Sequence, residues 1–301
     1  MKRLLSIATA AFCLAGTLPA QAALKVLACE PEWGALVQEL AGDKASVYLA
    51  TTGLQDPHHI QARPSLVAAA RTTDLLVCTG AELEIGWLPL LIRQSGNNAI
   101  QPGRPGYFEA AAYVRKLEVP ERLDRADGDV HAAGNPHIQT DPRNLLLVAE
   151  PLARRLAELD PANTPTYRAR SADFTARWKA AIQRWEKEAA ALRGTSVVVQ
   201  HKAFPYLGQW LGLTEVAVLE PKPGVEPTSA HLSAVLAGLQ TRPAKMILRE
   251  AYNDGRGAEW LAERTRLPIV VLPFTVGGDE QATDLFALFD DTIQRLLKGA
   301  R

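Results

Sequence analysis

Short apolar runs alternate with segments of helical periodicity in the first part of the chain. Runs rich in Val, Leu and Ala predict strands, and apolar residues at every third or fourth position predict helices. The predicted strands cover residues 24–28, 46–50 and 74–78, and the predicted helices cover residues 33–40 and 64–70. This alternation is typical of a parallel sheet with helices on both faces. Such sheets bind ligands in the loops that follow their strands, here residues 55–59 and 79–84.

The final part of the chain repeats this rhythm. Strands are predicted at residues 196–200, 215–219, 246–249 and 269–272, and helices at residues 204–211, 228–239 and 284–297. Between the two α/β parts, helical periodicity covers residues 144–159 and resumes from Thr164 to Leu192, with Pro165 in the first turn and Gly194 just past the end. A helix of about 28 residues is about 42 Å long, which is enough to join two lobes as a rigid strut.

These elements predict an α/β protein with two lobes, each a parallel sheet flanked by helices, joined by one long rigid helix. The N-terminal lobe is expected at residues 23–160, the linking helix at residues 161–194 and the C-terminal lobe at residues 195–301. Residues 122–135 are rich in Asp, Gly and Ala, a composition that predicts a mobile loop.

The N-terminus has the features of an export signal. Lys2 and Arg3 precede an apolar run at residues 4–18, and Ala20-Gln21-Ala22 offers the small residues that a signal peptidase reads. Residues 1–22 are therefore predicted to be a signal peptide. Phe12 stands before Cys13 where a lipoprotein signal needs a small residue, so a soluble, non-lipidated periplasmic protein is expected. Without Lys2 and Arg3, 31 basic residues face 33 acidic ones, which gives no reason to expect a nucleic-acid partner.

Cys29 and Cys78 each follow a similar apolar run, 26–28 and 75–77. If both runs are neighbouring parallel strands, the two sulfurs lie at the same end of one sheet. In an oxidising compartment this pair is expected to form a disulfide, and two buried reduced thiols are the alternative.

Histidines are few and three of them stand in similar places. The chain has 6 histidines, and His58, His137 and His201 each lie in a proline-containing loop or at a predicted strand end. Imidazole is the commonest side-chain ligand for zinc, and three imidazoles supply most of a tetrahedral shell. His131 lies in the Asp- and Gly-rich loop, where we expect a solvated side chain or an accessory metal contact. His59 is expected at the surface or behind His58.

A fourth ligand should be a carboxylate, and spacing alone does not choose one. The candidates are Asp284, Asp279, Glu250 and Glu226. Asp284 precedes the last predicted helix, where a negative charge is stabilised by the helix dipole. Asp279 follows two glycines on a flexible turn and is also considered an accessory metal position.

Motifs along the mature chain resemble one family in order. They are Asp56-Pro57-His58 with Pro64-Ser65, Asn135-Pro136-His137 with Asp141-Pro142, His201-Lys202-Ala203-Phe204, Glu226-Pro227-Thr228 and Asp284-Leu285-Phe286. They resemble signatures of the cluster A-I metal-binding proteins of ABC importers, which carry zinc or manganese. The resemblance implies two α/β lobes joined by one long helix, with metal held between them by His58, His137, His201 and Asp284. Asn135 and Leu285 depart from the family pattern, in which Asp and Ser are usual.

Ligand type and resemblance together predict Zn²⁺ as the bound ion. Manganese prefers more oxygen ligands than this set offers. We therefore expect a monomeric periplasmic protein, not an enzyme, that captures Zn²⁺ with high affinity and delivers it to the membrane permease of an ABC importer. A periplasmic zinc chaperone is a second candidate partner. The alternatives are a manganese-binding member of the same family and a periplasmic zinc hydrolase with Glu82, Glu84 or Glu250 as its base. The hydrolase is disfavoured because the chain has no His-Glu-x-x-His or Gly-x-Ser-x-Gly motif.

Overall fold

The computed structural model describes residues 22–122, 128 and 131–301. The signal peptide predicted over residues 1–22 lies outside this part of the chain except for Ala22, and the loop predicted over residues 122–135 lies partly outside it. Within the described ranges, no helix is both long and apolar enough to cross a bilayer.

The first sheet is formed by four parallel strands. They are β1 Leu24–Ala28, β2 Ala45–Leu49, β3 Leu75–Cys78 and β4 Tyr107–Glu109, in the order β2-β1-β3-β4. Every residue of β3 is buried, as expected for an inner strand covered on both faces. Because β1 and β3 are neighbours with Ala28 opposite Val77, the residues after them are adjacent. The predicted disulfide between Cys29 and Cys78 is confirmed.

Three helices cover this sheet, and each has proline in its first turn, where the missing N–H costs nothing. They are α1 Pro31–Ala41, α2 Pro64–Arg71 and α3 Leu88–Ser95. Trp33, Leu36 and Leu40 of α1 join the main core on one face of the sheet. Leu66 of α2 and Leu91 of α3 close a smaller core on the other face, around the disulfide.

Two long antiparallel helices follow and connect the sheets. They are α4 Pro142–Leu159 and α5 Thr164–Glu188. The 25 residues of α5 span about 37 Å, somewhat less than predicted because residues 189–192 form a tighter 3₁₀ turn. Trp178 and Trp185 of α5 are fully buried in a core cluster that extends continuously from the first sheet to the second. This shared core makes α5 a packed strut.

The second sheet repeats the parallel arrangement. Its strands are β5 Ser196–Val199, β6 Thr214–Val218, β7 Met246–Glu250 and β8 Ile269–Leu272, in the order β6-β5-β7-β8. Its helices are α6 Pro205–Leu211, α7 Ser229–Gly238, α8 Arg256–Thr265 and α9 Leu285–Gly299. The predicted fold class, two parallel-sheet lobes joined by one long helix, is confirmed. The lobe boundaries at residues 160 and 195 remain a prediction.

Two close contacts join the lobes near the loops that follow the strands. The backbone N of Glu32 donates to Thr275 Oγ1 at 3.1 Å, and Thr275 Oγ1 lies 2.5 Å from Glu32 Oε2. A Cβ at Gly53 would lie only 2.4 Å from the backbone of Gly277 and Gly278. The lobes therefore approach each other so closely that glycine is required at residue 53.

Candidate metal centre

Three histidines from distant segments meet in one cluster. His58 lies in the loop after β2, His137 precedes α4, and His201 follows β5. One ring nitrogen from each lies within 4.8 Å of the other two, and the ring centroids are 5.3–5.6 Å apart. All three side chains are buried. The structure thus brings together the three histidines selected from the sequence, one of them from the second sheet.

The two X-Pro-His segments build the same local geometry. Asp56 Oδ1 accepts a hydrogen bond from the backbone N of His58 at 3.0 Å and lies 2.7 Å from its ring Nδ1. Asn135 Oδ1 makes the equivalent contacts to His137 at 3.0 and 2.9 Å. Proline keeps the preceding residue out of the helical region, so its side chain can reach forward over the turn. The Nε2 atoms of His58 and His137 are left buried and without a hydrogen-bond partner.

His201 is held by a partner that sequence reasoning missed. Glu220 Oε2 lies 2.7 Å from His201 Nδ1; the His201 side chain is buried and that of Glu220 is 9% exposed. Glu220 also accepts the backbone N–H of Gly224 at 2.8 Å. Burial lowers the pKa of His201, but the bond to Glu220 and the charges of Glu250 and Glu220 outweigh it, so that pKa lies above its usual value. No local motif links residues 201 and 220, whereas the repeated X-Pro-His pattern was a usable signal for Asp56 and Asn135.

His137, unlike His201, is held in its neutral form. Burial, and then the charges of the neighbouring histidines His201 and His58, hold the pKa of His137 well below its usual value. A neutral ring whose Nδ1 is engaged presents the Nε2 lone pair to a metal. Buried polar atoms without partners are rare in native proteins. Two of them facing a third histidine fit a divalent cation that accepts nitrogen ligands.

The carboxylates proposed from the sequence occupy other positions. Asp284 is exposed and caps α9, its Oδ1 accepting the backbone N–H groups of Phe286 and Ala287 at 2.8 and 2.9 Å. Asp279 Oδ2 lies 2.7 Å from Arg295, and Glu226 is exposed. None of these carboxylates belongs to the group of ligand atoms within 4.8 Å in the described residues.

Glu250, at the end of β7, is the carboxyl behind His201. It is fully buried; its Oε2 accepts from Asn253 Nδ2 at 2.8 Å, and its Oε1 has no hydrogen-bond partner. Burial raises the pKa of Glu250 to about 7, and the nearby charge of His201 opposes that rise. The carboxyl is therefore close to half ionised at neutral pH.

His131 is not the solvated side chain expected from its loop composition. Its ring stacks on that of His58 with centroids 5.4 Å apart and planes 27° apart, and its Nε2 is buried without a hydrogen-bond partner. Burial, followed by the charges of His58 and His201, lowers the pKa of His131 to about 4. His59, in contrast, is exposed, as expected.

A cleft of about 440 Å³ leads to this cluster from the surface. His131, His137 and His201 line its inner part, and the segment from Pro221 to Pro223 lines its outer part. A salt bridge of 3.2 Å between Lys202 and Glu118 lies on its wall. The cleft gives an ion a path between the two lobes to the buried imidazoles.

A second buried polar group, here named the carboxyl cluster, comprises Glu30, Glu32 and Glu84. Glu30 Oε2 accepts from Thr79 N and Oγ1 at 3.3 and 3.0 Å, and Glu84 Oε1 accepts from Thr79 N at 2.7 Å. Burial raises the pKa of Glu30 well above its usual value and raises the pKa of Glu32 and Glu84 to about 7. The cluster adjoins the disulfide through Cys29 and Cys78. Because Glu84 already accepts backbone amides, it is poorly suited to act as a general base.

The architecture defines a class of protein. Two parallel α/β lobes, one long connecting helix and a buried cluster of three imidazoles contributed by both lobes are the architecture of the metal-binding solute-binding proteins of ABC importers. A family model described as ZnuA, the periplasmic component A of a zinc-uptake complex, matches residues 26–299. The chain therefore belongs to the ZnuA family.

Curated relatives agree on the class; some are named for manganese and others only for an unspecified metal. The manganese ABC transporter substrate-binding lipoprotein PsaA of Streptococcus anginosus is 23% identical over 261 residues, covering 84% of this chain and 80% of the relative. The metal ABC transporter substrate-binding lipoprotein ScbA of Streptococcus cristatus is 21% identical over 284 residues, covering 92% and 88%.

Solved structures share the fold. A crystal structure of ZnuA has a TM-score of 0.78 at 21% identity, covering 93% of this chain and 100% of that chain. The manganese-bound periplasmic metal binding protein from Candidatus Liberibacter asiaticus has a TM-score of 0.74 at 18% identity, covering 92% and 100%. At these identities the likeness establishes the two-lobed fold alone.

Proposed function

We propose that this protein captures Zn²⁺ in the periplasm with His58, His137 and His201 and delivers it to the membrane permease of an ABC importer. The observation that carries the proposal is the convergence of three buried imidazoles whose ring nitrogens lie within 4.8 Å. Three nitrogen ligands suit zinc, whereas manganese prefers oxygen ligands. The family description as a zinc-uptake component supports the same choice.

The manganese alternative rests on the names of relatives such as PsaA. Among the described residues, no carboxylate joins the three histidines within 4.8 Å, so the oxygen-rich shell that favours manganese is not formed. Copper and nickel bind imidazoles at least as tightly as zinc in vitro, so cellular zinc selectivity would also depend on metal supply.

Capture and release follow from the chemistry of the ligands. Metal binding requires deprotonated imidazoles, so affinity is expected to fall as pH falls. The shared core around α5 resists wide hinge closure, which favours local adjustment of loops during loading. The proposal also includes location in the periplasm, action as a monomer, docking on a permease and transfer from a periplasmic zinc chaperone.

A metal titration of the chelator-stripped mature protein tests the proposal. One equivalent of zinc is expected to bind tightly and manganese much more weakly, with no turnover of ester or peptide substrates. Loss of a hydrogen-bond partner of a metal ligand typically weakens metal binding by about 10- to 100-fold. Loss of a ligand itself should weaken zinc binding more, and we expect this of His58→Ala, His137→Ala and His201→Ala. His231→Ala is the matched control. The His231 ring lies on α7, where its Nε2 is 3.0 Å from the Val218 carbonyl oxygen. Equal affinity of zinc and manganese would refute the assignment of zinc.

A further inference from the structure

His131, which the sequence predicts to be either a solvated side chain or an accessory metal contact, has the chemical features of a metal ligand. Its Nε2 is buried and has no hydrogen-bond partner, which is unusual for a polar atom. Its ring lies against His58 at 5.4 Å, on the side of the cluster that faces the cleft. Its ring nitrogens lie outside the group of atoms within 4.8 Å that the other three histidines form, so its unpartnered lone pair stands beside that group and local movement of the loop would bring it to a shared ion.

A strained turn holds this histidine in place. Ala81 and Glu82 both have positive φ angles, 51° and 68°, a conformation that non-glycine residues adopt only when surrounding contacts enforce it. Glu82 Oε2 lies 2.5 Å from the backbone N of Ala132, and the backbone of Glu82 also accepts a hydrogen bond from the His131 ring. The turn thus contacts the loop twice, at His131 and at the residue after it.

The other side of the loop is anchored as well. The backbone N of Gly134 donates to the His131 carbonyl at 3.0 Å, and the backbone N of Asn135 donates to Leu117 at 2.8 Å. Asn135 is also the residue that orients His137. Two of the imidazoles are therefore fixed by one short segment, His131 to His137.

We infer that His131 is the fourth metal ligand, which completes an all-imidazole shell, and that Glu82 is the positioning residue that holds it there. This inference rests on the proposed function. Asp284 is the competing candidate, but its exposed carboxylate is engaged in capping α9. Four nitrogen ligands disfavour manganese more strongly than three do. A closed shell also leaves no open coordination position for the water that a zinc hydrolase requires.

X-ray absorption spectroscopy of the zinc-loaded protein tests the ligand assignment directly. We expect four imidazole ligands in the wild-type protein and three in His131→Ala, with zinc affinity lowered at least about tenfold and manganese affinity changed less. His59→Ala is the control, because His59 is exposed on the same loop as His58. Three imidazoles plus an oxygen in the wild-type protein would overturn the inference, and loss of that oxygen in Asp284→Ala would assign it to the aspartate.

The role of Glu82 is tested by the rate of zinc dissociation into excess chelator. Glu82→Ala should accelerate release, and Glu82→Gln should restore slow release because its amide oxygen still accepts the Ala132 N–H. Unchanged release in Glu82→Ala would remove the positioning role. If the stripped wild-type protein takes up no zinc, the proposed function fails. If the wild-type protein binds zinc but His131→Ala changes neither the number of imidazole ligands nor the zinc affinity, only this inference fails.

Discussion

The pairing of Glu220 with His201 makes a prediction that depends on pH. In the wild-type protein the Glu220 carboxylate lies 2.7 Å from His201 Nδ1. Glu220→Gln removes this largely buried negative charge but keeps an oxygen that accepts the Nδ1 proton of His201. Partners of metal-ligating histidines raise ligand basicity, and their mutation typically costs about 10- to 100-fold in metal affinity. At pH 8 we therefore expect zinc affinity to fall by about 1.4–2.7 kcal/mol, with Glu220→Gln near the lower value and Glu220→Ala near the upper one.

Glu220→Gln has the opposite effect on the competition between zinc and protons for His201. In the wild-type protein the pKa of His201 lies above its usual value because Glu220 and Glu250 outweigh burial. Zinc must displace that proton at acidic pH, and each pH unit below the pKa costs about tenfold in apparent affinity. In Glu220→Gln the pKa of His201 falls because burial then dominates. The affinity gap between variant and wild type should therefore narrow from pH 8 to pH 5.5.

Competition titrations against a zinc-chelating dye at the two pH values measure this gap. The control is Glu226→Gln, which removes an exposed charge on the segment after Glu220. Its zinc affinity should match that of the wild type at both pH values. Melting temperatures of the apo proteins check that the fold is intact. An equal loss of affinity at pH 8 and pH 5.5 would show that Glu220 acts only as a structural support and would refute the electrostatic argument.

Three further measurements test the contacts that support the site. Replacing Cys29 and Cys78 by Ser opens a link across 49 residues, which should cost about 4 kcal/mol in urea unfolding; a loss below 1 kcal/mol would contradict this. Gly53→Ala should cost about 1–3 kcal/mol and weaken zinc binding, because its Cβ would meet the other lobe at 2.4 Å; Gly238→Ala, which faces open space, is the control. The carboxyl cluster stabilises the apo fold below the unfolded carboxyl pKa of 4.5, and this contribution is lost as pH rises through the folded value of about 7. The apo melting temperature should therefore drop from pH 6.5 to pH 8, and a rise would count against the cluster's protonation.

Local sequence pattern predicted most of the regular elements. Buried parallel strands such as Leu75–Cys78 read as short apolar runs because both of their faces are covered, and helices beginning with Pro are delimited at their first turn. Three elements were not predicted from the sequence. They are β4, which has 3 residues, α3, which begins with Leu88-Pro89 after a loop, and α8, which is largely polar. Such segments are too short or too polar for periodicity to stand out, and they form because the sheet edge and core provide partners.

The candidate site also contains residues that local sequence predicts and residues that only the fold brings together. The repeated X-Pro-His pattern depends on contacts between residues two apart, so His58 and His137 could be selected from sequence together with the side chains that orient them. Glu220 lies 19 residues from His201, and only the parallel pairing of β5 with β6 brings their loops together. Asp284 was selected for its place before a helix, and the structure shows it capping that helix.

The sequence by itself predicted the α/β fold class, the cysteine pair and the three histidines, because apolar runs and proline turns are patterns encoded over short distances. Only the tertiary structure decided which further groups stand beside those imidazoles. His131, Glu82 and Glu250 reach the cluster through loop crossings and sheet order, which depend on packing between segments far apart in the chain.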